Sequence, residues 1–317
     1  MNKLSILKSE SVKLSYQGKA SEFVLVYFKN LLLVIPSLGL YYPWAKIKIV
    51  EFHSKSTQLN NTGFLFSGKA KEIFNSFMLI YLLYFTTIVF AIWVSLSENF
   101  RYILSVLIIV FFINVLIFPF IIHGTAKYQY SNTSWKGIRF HYLGDKFELF
   151  WKFLTGHLLS LLTLGIYYAW FHTDIVKYLY SHLRFGNLSF NFTGKGKDLF
   201  LIHLKNFILF PLTLGIYTFW YGKNLLKFFA DNIEITQNGK KTLLTFNIKI
   251  GDVFHWLFIN ILLYVISLGL AYPLIAIRTQ RFIFRFIEVD KTIDLSAVQQ
   301  TKYKSTKKHP FLELNLV

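Results

Sequence analysis

Five carboxylates recur at matching places along the chain: Glu22, Glu72, Glu148, Asp198 and Asp252. The first four lie four residues after a glycine (Gly18, Gly68, Gly144 and Gly194), and Asp252 holds the equivalent place. Two chemistries are open to such a set. In the first turn of a helix a carboxylate satisfies free backbone N–H groups and favours the positive dipole end, worth about 0.5–1 kcal/mol. Gathered at one mouth, several carboxylates would attract a cation or hold a proton, because crowding like charges raises at least one pKa. Each acid opens a different apolar run, and neighbouring helices pack ~8–10 Å apart, which favours separate caps. Lys29, Lys152 and Lys205 lie one to two turns further on and can snorkel back towards these acids.

A second polar set, Asn30, Asn206 and Asn260, sits inside apolar stretches. There amides bond between helices or line a polar path. Together with the acids they form the candidate polar or ionic path. His172, Asp174 and His182 are the best candidates for a metal, but the histidines are not at helical i, i+4 spacing and no H-E-x-x-H pattern occurs. The chain has no cysteine, which removes thiol catalysis and thiolate metal sites. No Walker loop, dinucleotide fingerprint or G-x-S-x-G elbow is present. The sequence calls for no catalytic residue, metal or cofactor.

The elements that position these residues are apolar. Of 317 residues, 54% are hydrophobic and 16% charged, against about 25% charged in soluble domains. Ile73–Ser97, Tyr102–Ala126 and Val253–Ile277 contain no charged side chain. About 20 apolar residues span a bilayer core of ~30 Å. Six embedded segments are predicted, near 23–44, 73–97, 102–122, 149–170, 199–221 and 253–277.

A short motif repeats along these segments. Leu-Gly closes four of them, at Gly39, Gly165, Gly215 and Gly269, and Trp44, Trp170 and Trp220 follow the first three. Residues 16–74 overlay residues 142–200 without a gap, pairing Trp44 with Trp170 and Gly68 with Gly194. The spacing predicts about five units. Each has an alternating aromatic stretch, a glycine turn, the acid, an apolar helix, Leu-Gly, an aromatic belt and an amphipathic helix in the interface. The fold expected is an all-α polytopic membrane protein with short extended turns. A segment 1–13 precedes the repeat-built domain 14–289, and a basic tail, 290–317, carries Lys302, Lys304, Lys307 and Lys308. That tail is expected to be mobile and drawn to anionic lipid.

Six simple spans leave almost no bias of Lys and Arg between the two faces. If the four Leu-Gly segments dip in and return, and only 73–122 crosses as a hairpin, 30 cations share one face and Arg101 stands alone on the other. The positive-inside rule favours that second arrangement, although the return limbs carry Lys46, Lys48, Asp174 and Arg278. The net charge of +18 points to anionic lipid headgroups as partners and not to nucleic acid; a homo-oligomer is compatible.

The F-x-[FY]-x-G turn, the acid after it, Asn30 and Asn206, TLGIYYAW at Thr163–Trp170, Tyr178 and GLAYPL at Gly269–Leu274 resemble the YjgN family of bacterial inner-membrane proteins, domain of unknown function 898. The resemblance runs from Leu14 to about Val289. It departs at the middle unit, at Gly156 where the helix Asn would be, and at Leu274. It implies a multi-pass protein of the bacterial cytoplasmic membrane and names no activity. Three functions remain: foremost a small-solute or ion transporter or pore, as repeat-built helical proteins often are, then a non-catalytic membrane-organising or lipid-binding protein, and well behind these a membrane enzyme acting on lipid.

Overall fold

The computed structural model describes residues 12–96, 100–290, 292–301 and 303. The chain begins with strand β1 (Leu14–Tyr16), helices α1 (Ala20–Val34) and α2 (Tyr42–Ser56), and strand β2 (Thr57–Leu59). This order then recurs. β3 (Thr62–Gly63) and β4 (Leu65–Phe66) lead into α3 (Ala70–Ser95), α4 (Phe100–Ser131) and β5 (Thr133–Trp135). β6 (Ile138–Tyr142) leads into α5 (Lys146–Leu162), α6 (Tyr168–Ser181) and β7 (Leu183–Phe185). β8 (Leu188–Phe192) leads into α7 (Gly196–Leu212), α8 (Thr218–Asp231) and β9 (Ile233–Gln237). β10 (Lys240–Leu243) and β11 (Thr245–Phe246) lead into α9 (Ile250–Ile266), α10 (Tyr272–Phe286) and β12 (Ile287–Glu288).

Four of the six apolar runs are therefore not single helices. Each is cut by its Leu-Gly turn into the end of one helix and the start of the next. The glycine N–H reaches back five residues, as from Gly165 to Ser160 O at 2.7 Å, while the leucine N–H bonds the carbonyl three back, as from Leu164 to Leu161 O at 3.2 Å. This is a Schellman ending, with leucine in the left-handed position and glycine beyond it. Leu38, Leu164, Leu214 and Leu268 have φ near 50°, and the glycines that follow have φ of 86–91°. A hydroxyl just before each leucine caps the return helix: Ser37, Thr163, Thr213 and Ser267 accept the N–H four residues ahead at 2.9–3.1 Å. Hydropathy alone cannot register such a break, because turn and helix are equally apolar.

Each helix packs against the next, and α10 packs back against α1, so the ten helices among the described residues close a ring. Among the described residues, only Ala70–Ser95 and Leu104–Ser131 are long and apolar enough to cross a membrane, judged by length and composition. Their apolar windows are only 6% and 17% buried, which is unlike the core helix of a soluble protein.

The expectation of an all-α fold is corrected by twelve short strands among the described residues. Each alternating aromatic stretch pairs with the strand that follows the next return helix, as in Phe140 with Phe185 and Phe190 with Ile235. Two-residue turns join consecutive strands at Asn60–Asn61, Lys136–Gly137, Gly186–Asn187 and Asn238–Gly239. Both residues of three of these turns have positive φ, the type I′ geometry that matches strand twist. β4 through β10 form one seven-stranded sheet, β1–β3 a second, and β11–β12 a third.

The turns converge on an apolar hub of Val12, Leu59, Trp135, Phe185, Leu188 and Ile235. Ile293 and Val298 complete it. The stretch after residue 290 is therefore not free over its described part. Gln237 exchanges two hydrogen bonds with the backbone of Asp294 at 2.8 and 2.9 Å, and the Tyr303 hydroxyl donates to Gly186 O at 2.9 Å. Lys302, Lys304, Lys307 and Lys308, like residues 1–11, lie outside the described residues.

Candidate functional site

All five repeated acids occupy the third position of an odd-numbered helix. Glu72 and Asp252 accept the backbone N–H of Lys69 and Lys249 at 3.3 and 3.2 Å, closing the helix start on itself. Glu22 and Glu148 pair with Lys19 and Lys152 at 3.3 and 3.7 Å. These pairs are largely exposed, so solvent leaves them little net strength. The residue after each acid is buried: Phe23, Ile73, Leu149, Leu199 and Val253. The acids thus mark helix starts whose next side chain anchors the core. In α5 the capping oxygen is that of Asp145, which accepts from Phe147 N and Glu148 N at 2.8 and 2.9 Å. The sequence reading passed over Asp145, although Asp before an apolar run is a standard helix start. Asp145→Ala is expected to lose about 1 kcal/mol, whereas Asp145→Ser stays close to the parent; thermal melts in detergent distinguish the two.

The asparagines sit on α1, α7 and α9. Asn30 is buried, donates to Val26 O at 2.6 Å, and its Oδ1 has no hydrogen-bond partner among the described residues. Asn206 leaves its Oδ1, and Asn260 its Nδ2, in the same condition. Asn260 Oδ1 accepts from Arg278 Nε at 3.2 Å. Lys152 follows its acid as expected. His182 bonds Tyr178 O at 2.8 Å through Nδ1, and His172 packs on Phe229. No group of three metal-ligating side chains is found among the described residues.

Gly18, Gly68, Gly144 and Gly194 have ordinary φ and are not left-handed turns. What excludes a side chain is an aromatic ring two residues earlier, folded over the glycine. A Cβ would lie 2.6 Å from Tyr16 Oη at Gly18, 2.7 Å from Phe66 at Gly68, and 2.5 Å from Tyr142 and Phe192 at Gly144 and Gly194. The aromatic-x-Gly spacing is thus a packing unit. Trp44 and Trp170 join successive hairpins, their rings 5.2 and 5.3 Å from Phe74 and Phe200. Trp220 stacks on Tyr217 at 6.3 Å and is half exposed.

A cleft of about 810 Å³ opens where the strand order stops, between β1 and β12. Lys13, Tyr16, Arg281, Arg285, Glu288 and Asp290 line it. Neither set of candidate path residues reaches it. Its two walls are more than 260 residues apart in sequence, so no local motif announced it.

Ten helices in a ring, two of them fit to cross a membrane, define a helical membrane-type protein. Residues 11–193 and 187–241 match the family described as bacterial protein of unknown function, DUF898. The chain belongs to that family. It is also 25% identical over 165 residues to inner membrane protein YjgN of Salmonella typhimurium; the match covers 52% of this chain and 40% of that protein. No solved structure matches the chain.

Proposed function

We propose that this is a non-catalytic, lipid-binding protein that organises the bacterial inner membrane, crossing it with α3 and α4 and dipping four Leu-Gly hairpins into one leaflet. The observation that carries the reading is the state of the four hairpin tips. Leu38, Leu164, Leu214 and Leu268 are 76%, 95%, 93% and 91% exposed, with Ile35, Leu162, Leu212 and Ile266 exposed beside them and no charged residue from Ile35 to Tyr42 or in the equivalent turns. Tips that emerged into water would leave this apolar surface unpaired, at roughly 25 cal/mol per Å². Ended within hydrocarbon, they cost nothing of the kind. The odd helices of these hairpins have 15–17 residues, about 22–26 Å at 1.5 Å per residue, shorter than the ~30 Å core. The sequence at the α3–α4 junction differs, with Glu98 and Asn99 between the two helices and Arg101 at the start of α4. The name of the Salmonella relative supports the location. The recurring element order supports five units.

Single cysteines in this cysteine-free chain test the topology. In sealed vesicles, Leu164→Cys and Leu214→Cys are expected to resist a membrane-impermeant maleimide from both faces, while Ser97→Cys reacts from one face and Asn238→Cys from the other. Labelling of Leu164→Cys from the face that reaches Ser97→Cys would show that the hairpin crosses.

A solute or ion path is the second reading, favoured by the unpaired amide atoms of Asn30, Asn206 and Asn260 inside helices. Solute or ion flux in proteoliposomes, lost in Asn206→Leu, would make it the correct one.

A further inference from the structure

We propose that the cleft between β1 and β12 holds the headgroup of an aminophospholipid, its phosphodiester on Arg281 and Arg285 and its ammonium on Glu288. The inference rests on the lipid-binding reading and names the site and ligand for it.

The starting point is a departure in charge pattern. Relative to the Leu-Gly turns, Arg281 and Arg285 of α10 occupy the places of Lys227 and Asp231 of α8. In α8 those side chains form an ion pair at 2.6 Å. In α10 the same i, i+4 spacing holds two cations, whose repulsion disfavours the helix. Among the described residues neither arginine is in an ion pair, and nor is Lys13. Arg281 spends one N–H on Gly18 O at 2.7 Å, which ties α10 to the start of α1 and leaves donors free of the five a guanidinium carries. Forked guanidinium donors match phosphate oxygens in geometry as well as charge.

Just beyond α10 the lining turns acidic, with Glu288 and Asp290. Asp290 already accepts from Thr292 N at 3.1 Å, whereas Glu288 is exposed and unpaired among the described residues. A cleft that presents cations and a free carboxylate together fits a zwitterion better than a bare anion. Buried Tyr16 also lines the cleft; burial pushes its phenol up to about 12, so it stays a neutral hydroxyl, bonded to His53 at 2.8 Å. The cleft lies at the strand end of α1 and α10, the end opposite the apolar tips. A headgroup there lets its acyl chains follow the exposed apolar faces of those helices.

The test is lipid retention by the detergent-purified full chain, read by native mass spectrometry. The probes are phosphatidylethanolamine, phosphatidylglycerol and soluble phosphoethanolamine. Arg285→Gln is expected to lower retention of both lipids at least tenfold, and Glu288→Gln to weaken phosphatidylethanolamine alone. Unchanged retention in Arg285→Gln overturns the site. Equal loss of both lipids in Glu288→Gln overturns the zwitterion assignment. Soluble phosphoethanolamine held as tightly as the lipid overturns the lipid source. Maleimide labelling of Leu164→Cys is read separately, so a failed site and a failed topology give different results.

Discussion

Phe192→Ala is expected to destabilise the protein by about 3–5 kcal/mol, the range for deleting a fully buried phenylalanine. Phe192 ends β8 and is wholly inaccessible. Its ring lies 5.8 Å from Phe228, 6.1 Å from Phe229 and 6.2 Å from Tyr180. Those contacts tie the strand layer to α6 and α8 at once, so the cavity left by alanine cannot close by moving one element. Phe192 also covers Gly194, and removing the ring uncovers the start of α7. The control is Phe207→Ala on α7, 79% exposed and facing detergent or lipid, which should shift the melt little. Thermal unfolding of both variants in one detergent gives the comparison. Equal shifts would mean that the aromatic cluster around Phe192 does not carry the join between strands and helices.

The cluster was only partly visible in the sequence. The alternation at Phe190 and Phe192 marked an extended stretch, and the acid at Asp198 marked a helix start. Both features are local, and local chemistry writes them. What the strand pairs with is not local. β8 finds β7 across a two-residue turn, but it finds β9 only after a helical hairpin has gone out and come back. Nothing at Phe190 specifies Ile235, so the extended stretches show in the sequence while their pairing into sheets does not, and the fold reads as all-α.

Leu-Gly at Gly165 marked a helix end correctly, but apolar Ile166 to Trp170 hid the start of α6. In a soluble protein a polar loop would have shown it. Ile293, Leu295 and Val298 lacked periodicity because they pack singly into a hub built by other segments. The cleft was the least legible feature, since Lys13 and Arg285 meet only through closure of the ring. The repeat is what made most of the remainder readable, because each misjudged position had a better-defined counterpart elsewhere.

Gly196→Val is expected to cost about 3 kcal/mol, the upper end for overpacking a tight contact. Gly196 opens α7, and a Cβ there would sit 2.6 Å from Trp170 Cγ and 2.7 Å from Trp170 Cα. A side chain can swing away from such a clash, but the Trp170 Cα belongs to the backbone of α6. Relief therefore requires α6 and α7 to separate. The Trp170 indole is already held against Phe200 at 5.3 Å and Tyr167 at 6.2 Å, so separation also loosens the join between the third and fourth hairpins. Gly251, one residue into α9, gives the contrast: a Cβ there meets nothing within 4 Å, and Gly251→Ala should raise stability slightly through helix propensity. The two variants are compared by thermal melts and by the fluorescence of Trp170, with the other tryptophans replaced by phenylalanine. Gly196→Val should red-shift that emission as water or detergent enters the widened join. If it melts with the parent and leaves the emission in place, α6 and α7 are not in the close approach that positions the ring.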